Sequence, residues 1–136
     1  MKSVQLKAPF SLSYLFNFLS EVTQSTLFTL VPLVESHGPY AEEELGLLLY
    51  KGGTVCDDEF TDIAADAICK EMNFERAIIW LTDPRPERAE KRSQYEIKLD
   101  NVECYFPIWN SCSFNDKFSD CVHSEDVFLS CQLKGE

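Results

Sequence analysis

The chain has 136 residues, of which 45% are apolar and 12% aromatic, enough to build the core of one domain. Its 23 acidic residues outnumber its 12 basic ones, for a formal net charge of −11. This balance argues against nucleic-acid binding, which needs clustered Lys and Arg, and against a cationic membrane-disrupting peptide.

The N-terminus has the pattern of an export signal. Two lysines precede a mostly apolar stretch, residues 9–20, and small side chains at Thr23 and Ser25 frame a cleavage position. Residues 1–25 are therefore predicted to be a signal peptide. A membrane anchor is the rival, but Glu21 interrupts the run of about 20 apolar residues that a span requires. An imperfect gene start is the third alternative.

Short strands are predicted next. Residues 27–34 and 45–50 are apolar and β-prone, and Pro32 places the first of these strands at a sheet edge. Gly52 and Gly53 predict a turn after the second strand.

A single helix follows. Thr61 or Asp62 is positioned to cap it, and it is expected to end near Asn73. The helix is expected to cover a core, with Cys69 beside an apolar stripe formed by Ile63, Ala67, Ile68 and Met72.

The C-terminal half is predicted to be rich in loops. Residues 78–81 form a short apolar run, and residues 83–93 are predicted to be a polar loop. Apolar and polar residues alternate over 95–100, the period of a half-buried strand, and residues 127–129 are a candidate closing strand. One helix over short strands indicates an α+β module.

Six cysteines occur after residue 55, and no two have C-x-x-C spacing. That spacing argues against a zinc ribbon and against a thioredoxin-like redox site. An even number in a short chain predicts three disulfides formed in an oxidising compartment, although six cysteines allow 15 pairings and spacing alone does not choose among them. The cysteines are Cys56, Cys69, Cys104, Cys112, Cys121 and Cys131.

Four motifs stand in order along the chain. They are G-T-V-C-D-D from Gly53, A-x-x-x-C ending at Cys69, L-D-N-V-x-C ending at Cys104, and C-x-H-S-E-D-x-x-x-x-C from Cys121 to Cys131. Each alone is weak, but the ordered set resembles the scavenger receptor cysteine-rich (SRCR) family. The resemblance implies an SRCR domain over residues 27–132.

The resemblance also implies a fold and a disulfide pattern. The family fold is a curved antiparallel β-sheet cradling one α-helix. Phe74 stands where the eight-cysteine form of the family has a further cysteine, so the chain is similar to the six-cysteine, group A type. The implied bridges are Cys56–Cys121, Cys69–Cys131 and Cys104–Cys112.

Under that pairing, acidic residues distant in sequence meet. Asp57 and Asp58 follow Cys56, and Glu125 lies four residues beyond Cys121. Carboxylates held close together repel one another unless a proton or a cation intervenes, and oxygen ligands suit Ca²⁺ before Mg²⁺. The resemblance assigns a main cation site to Asp57, Asp58 and Glu125.

The resemblance assigns a second cation site to Asp100, joined by Asp120. The alternative for all these residues is that they cap turns or hydrogen-bond the backbone, as Asp often does. Weak calcium affinity, on the order of 10⁻⁴ to 10⁻³ M, is expected of an extracellular module.

The predicted polar loop carries the one basic cluster of the sequence: Arg85, Arg88, Lys91 and Arg92. These residues are a candidate anion contact through bidentate arginine pairing. A solvated loop neutralised by its own glutamates is the favoured interpretation.

His123 is a candidate zinc ligand or catalytic base. No nucleophile accompanies it, because cysteines in disulfides are inert, so a structural role is favoured. The sequence therefore predicts no enzyme.

The leading hypothesis is a secreted or surface-displayed binding module that recognises polyanionic, microbial-surface or protein ligands with help from a divalent cation. The chain carries no transmembrane span on this interpretation. The alternative is a non-catalytic accessory domain of a larger extracellular receptor or protease.

Overall fold

The computed structural model describes residues 27–32, 45–117 and 119–135. The predicted signal peptide, residues 1–25, lies outside them, as do two residues of the expected first strand. Among the described residues, no helix is both long enough and apolar enough to cross a bilayer.

Seven strands of the described part of the chain form one sheet. Their bounds are β1 Phe28–Pro32, β2 Gly46–Tyr50, β3 Gly53–Val55, β4 Arg76–Thr82, β5 Ile97–Cys104, β6 Cys112–Asn115 and β7 Val127–Gln132. The hydrogen-bonded order is β4-β7-β2-β3-β5-β6, and β1 pairs with β2. All pairings are antiparallel except that of β3 with β5.

The main helix, α1, spans Asp62–Glu71 and is capped by Thr61, whose Oγ1 accepts a hydrogen bond from the Ala64 amide at 3.3 Å. Helix α1 packs against β4, β5 and β7. The α+β fold expected from the sequence, a mostly antiparallel sheet with a helix against it, is confirmed.

The predicted helix stripe is partly wrong. Ile63 is 42% exposed, whereas Ala64, Ala65 and Ala67 are fully buried with Ile68 and Cys69. Because alanine side chains are small, the alanine face allows the helix backbone to lie close to the sheet, and the Cys69–Cys131 bridge fastens that face to β7.

Strand β2 lies at the centre of the core. Leu48 and Tyr50 belong to the apolar cluster under α1, and Leu47 and Leu49 belong to a second cluster that includes Phe128. Alternate residues of a strand point to opposite faces, so β2 contributes to both clusters and is buried throughout.

The predicted polar loop is wrong in one respect. It contains a second, short helix, α2, over Pro86–Lys91, with Pro86 in the first turn. Proline favours that position because its fixed φ suits a helix and its missing N–H would have had no helical partner.

Candidate functional site

The three disulfides join the same cysteine pairs that the family resemblance implies: Cys56–Cys121, Cys69–Cys131 and Cys104–Cys112. The first places the end of β3 beside the C-terminal loop, with the two α-carbons 6.3 Å apart. Backbone contacts reinforce the junction, since Cys56 forms a β-bridge with Asp126 and the Asp57 amide donates to the Glu125 carbonyl at 3.0 Å.

A tight turn presents Asp58. The Phe60 amide donates to the Asp57 carbonyl at 3.0 Å, and Glu59 takes a left-handed conformation with φ of 65°. Phe60 is buried and packs edge-on against Trp80 at a centroid distance of 4.8 Å, which anchors the turn in the core.

Strand β5 brings Asp100 to the same place. The Cys56 amide donates to the Leu99 carbonyl at 2.9 Å, so the next residue of β5 lies beside the disulfide. The pairing of β5 with β6 shifts register after Asp100, and Asn101 has φ of 55°. This irregularity is a bulge of the kind that redirects a side chain.

The simple alternation predicted for β5 did not anticipate the burial of Asp100. The alternation predicted that Asp100 lies on the solvent-facing side of the strand, but Asp100 is only 2% exposed. Its Oδ1 accepts a hydrogen bond from the Asn101 amide at 2.8 Å.

The carboxylates gather around the Cys121 sulfur. Its Sγ lies 3.3 Å from an oxygen of Asp100, 3.5 Å from one of Asp58 and 4.0 Å from one of Asp120. The sulfur is oxidised in a disulfide and has no proton to donate, so these are close contacts rather than hydrogen bonds.

Among the residues that the structure describes, two overlapping groups have ligand atoms within 4.8 Å of one another. Besides the disulfide sulfurs, one group contains Asp58 and Glu125, and the other contains Asp58, Asp100 and Asp120. The two cation sites that the sequence treats separately therefore meet at Asp58, which belongs to both.

Asp57 belongs to neither group, so its expected place as a ligand beside Asp58 and Glu125 does not match this geometry. The charges of Glu125 and Asp58 still act on Asp57.

The electrostatics of the cluster are unfavourable to negative charge. Burial, followed by the charges of Glu125 and Asp58, raises the pKa of Asp57. Burial, followed by the charges of Glu125 and Asp100, raises the pKa of Asp58. A cation would relieve this repulsion, and the set of oxygen donors suits a hard ion such as Ca²⁺ or Mg²⁺.

Glu125 is held in place by its own turn. It ends a single 3-10 turn, His123–Glu125, and its Oε1 accepts a hydrogen bond from the Val122 amide at 3.0 Å. This bond holds one carboxylate oxygen of Glu125 near the junction.

The predicted basic cluster is not a single anion contact. Arg92 is 8% exposed, and its Nε donates to Oδ2 of the fully buried Asp126 at 2.7 Å. Its guanidinium also lies 4.9 Å from the centroid of the Phe128 ring. In the sequence Arg92 is a candidate anion contact, with a solvated loop favoured; the structure instead buries it and pairs its charge with Asp126 inside the domain.

The other three residues of that cluster lie on or beside α2. Arg85 donates to both carboxylate oxygens of Asp83, at 2.8 and 2.6 Å, and this pairing lowers the pKa of Asp83. Arg88 is half-buried and Lys91 is exposed at the end of the helix. Their part in anion binding stays a prediction.

His123 has a position that fits a structural role. Its Nδ1 lies 2.8 Å from Oδ2 of Asp126, and its Nε2 lies 3.0 Å from the Tyr95 carbonyl oxygen. With Arg92, it surrounds one buried carboxylate. Sequence analysis missed this network, because Arg92 looks like its neighbours in a charged run.

Comparison with known proteins points to the same family as the ordered motifs of the sequence. The family model for the scavenger receptor cysteine-rich domain matches residues 44–132. Lysyl oxidase homolog 2 of Xenopus laevis is 40% identical over 87 residues, 60% of this chain and 11% of that protein. Lysyl oxidase homolog 4 of Homo sapiens is 38% identical over 101 residues, 69% of this chain and 13% of that protein.

The chain thus spans only about a tenth of the length of these relatives. Among solved structures, the dimeric form of the SRCR domain of mouse MARCO aligns with a TM-score of 0.47 and 22% identity, covering 85% of this chain and 98% of that one. The family match, the four ordered motifs and the three bridges agree. The chain belongs to the scavenger receptor cysteine-rich family.

Proposed function

We propose that this chain is an extracellular ligand-binding SRCR module whose acidic cluster binds a divalent cation and uses it to hold an anionic group of the ligand. The observation that supports the proposal is the convergence on Asp58 of ligand atoms from Glu125, Asp100 and Asp120. An oxygen-only donor set favours Ca²⁺, with Mg²⁺ second.

A bound cation explains how an acidic protein can bind an anionic ligand. The protein carries a net charge of −11, yet its proposed ligands are polyanions, microbial surfaces or acidic proteins. A calcium ion held by two or three carboxylates keeps open coordination positions for a ligand carboxylate, sulfate or phosphate.

Binding to an immobilised polyanion, dextran sulfate, tests this function. We expect binding in about 2 mM Ca²⁺, a concentration above the dissociation constants of about 10⁻⁴ to 10⁻³ M of weak extracellular calcium modules, a large fall in binding in EDTA, and recovery when calcium is restored. Unchanged binding in EDTA would contradict the cation mechanism. The variant Glu71→Gln should bind dextran sulfate as the parent does, because Glu71 is an exposed carboxylate at the end of α1 and does not belong to the acidic cluster.

A second proposal concerns the longer protein from which such a module can come. The family is one of non-catalytic interaction domains, and the curated relatives match only over a small part of their length. Within such a longer protein, the module would position the other domains of an extracellular receptor, oxidase or protease and would not itself catalyse a reaction. Sequencing of the full-length transcript tests this proposal, since an open reading frame with no further domain would contradict it.

A further inference from the structure

Three lysines distant in sequence line one open cavity. The cavity has a volume of ≈ 340 Å³ and lies where the β2–β3 turn, the start of β5 and the segment after β6 meet. Its charged lining consists of Lys51, Lys98, Lys117, Glu96 and Asp116, and Tyr50 contributes an aromatic ring. No single motif contains these residues, so the tertiary fold creates the site.

The backbone at Lys51, the first of the three lysines, forms a tight turn. Lys51 and Gly52 have φ of 50° and 87°, the left-handed conformations of a tight turn. The Lys51 ammonium lies 5.3 Å from the centroid of the Tyr50 ring. This contact holds the positive charge of Lys51 near the cavity.

Lys98 packs against the next glycine. A Cβ added at Gly53 would lie 2.2 Å from Cγ of Lys98, so the lysine stem occupies the space that any other residue at position 53 would need. The stem therefore lies against the backbone of Gly53, while the side chain as a whole remains 39% exposed. Preorganised charges lose less conformational entropy when a ligand binds.

The cavity differs in charge from the rest of the protein. Three lysines against two carboxylates leave a net charge of +1 in a chain whose total is −11. The ion pair between Lys98 and Glu96 is long, at 3.9 Å, and solvent-exposed, so it competes weakly with an incoming anion. The other lysines of the described chain, Lys70, Lys91 and Lys134, do not line the cavity.

The lining favours a small ligand with one anionic group. Ammonium groups act as point charges that suit a tetrahedral oxyanion, whereas Glu96 and Asp116 accept hydrogen bonds from hydroxyls and repel a second negative charge. The volume is at the lower end of small-molecule sites, enough for one sugar ring. We propose that this cavity binds a sugar residue through its single sulfate or phosphate monoester, without a metal ion.

Titration of the oxidised protein in EDTA with glucose 6-sulfate, glucose 6-phosphate and glucose tests the proposal, with amide chemical shifts as the readout. We expect saturable shifts confined to residues 50–53, 96–98 and 115–117 with at least one ester, and none with glucose. A response to both esters identifies the oxyanion as the recognised group, and a response to one identifies that ester.

Two variants of equal net charge make the test specific. Lys51→Gln/Lys98→Gln/Lys117→Gln should weaken ester binding by roughly tenfold or more, since the variant removes the ammonium groups of all three lysines that line the cavity. Lys70→Gln/Lys91→Gln/Lys134→Gln should bind as the parent does. Thermal unfolding of both variants checks that they fold.

Equal weakening in both variants, equal shifts with glucose, or no saturable shift with either ester would overturn the proposal. Since all titrations contain EDTA, failure here leaves the calcium mechanism unaffected. Conversely, loss of cation binding in an Asp58 variant would leave this cavity intact.

Discussion

At Asp58 the charges of several carboxylates meet, so a change of this one side chain tests the candidate cation site. Replacement by Asn keeps the shape but removes one of the repelling charges. We expect Asp58→Asn to raise the melting temperature of the protein in EDTA and to abolish the further rise that calcium produces in the parent. Differential scanning calorimetry measures both.

Glu71→Gln is the matched control, because it makes the same change of net charge away from the cluster. A calcium response in Asp58→Asn equal to that of the parent would show that Asp58 is not a ligand.

The raised pKa values of Asp57 and Asp58 predict a dependence on pH. Folding raises these pKa values, so the folded state binds protons more tightly than the unfolded state, and the repulsion lowers stability above the folded pKa. We expect the stability advantage of Asp58→Asn over the parent in EDTA to be small at about pH 4 and larger at about pH 7. Urea unfolding at several pH values measures it, and an advantage that shrinks as the pH rises would refute the assignment.

Arg92 is the residue at which the sequence was most misleading. Its guanidinium pairs with Asp126, a fully buried carboxylate whose Oδ1 has no hydrogen-bond partner. Arg92→Ala leaves that charge without its main partner, which typically costs about 3–5 kcal/mol. We expect a much lower urea midpoint, and only a small change for the control Arg85→Ala, whose ion pair with Asp83 is exposed. Similar midpoints for the two variants would contradict this role.

At the scale of the elements, two hydrogen bonds link α1 to β4, an exposed one at Asp62 and a partly buried one at Asp66. Oδ1 of Asp66, on the helix, accepts from the Ala77 amide of the strand at 2.8 Å. Asp66→Ala leaves a partly buried amide without a partner and should cost about 1–3 kcal/mol, whereas Asp66→Asn retains an acceptor oxygen and should cost less. Chemical denaturation of the two variants measures the difference. Equal losses would mean that the charge of Asp66 matters rather than the bond.

The helices show how far local pattern predicts an element. Thr61 and the apolar spacing identify α1, because capping and 3.6-residue periodicity are local properties. They do not decide which side of α1 is buried, since Ile63 and Ala64 lie on neighbouring faces and the sheet selects the alanine face. Helix α2 is too short for a periodic signal, and only Pro86 hints at its start.

At the scale of the whole molecule, the disulfides differ in how much chain they close. Cys56–Cys121 spans 65 residues and Cys104–Cys112 spans eight. On the chain-entropy model, removal of these bridges by paired Cys→Ala substitutions should cost about 4 and about 2.5 kcal/mol respectively. We expect the larger fall in melting temperature for the long bridge, measured by thermal unfolding. Equal falls would show that the long loops retain structure when the protein unfolds.

The amino-acid sequence alone determined the family, the α+β class, the extracellular character proposed for the domain, and which aspartates and glutamates were candidates for a cation. These depend on residue types at short spacing and on ordered motifs. The tertiary structure decided that Asp58 joins both predicted sites, that Asp57 stands apart, that Arg92 is buried, and that three separate lysines share a cavity. Each of these is a matter of side-chain direction at a junction of distant segments, and direction depends on bulges, turns and packing that residue spacing does not encode.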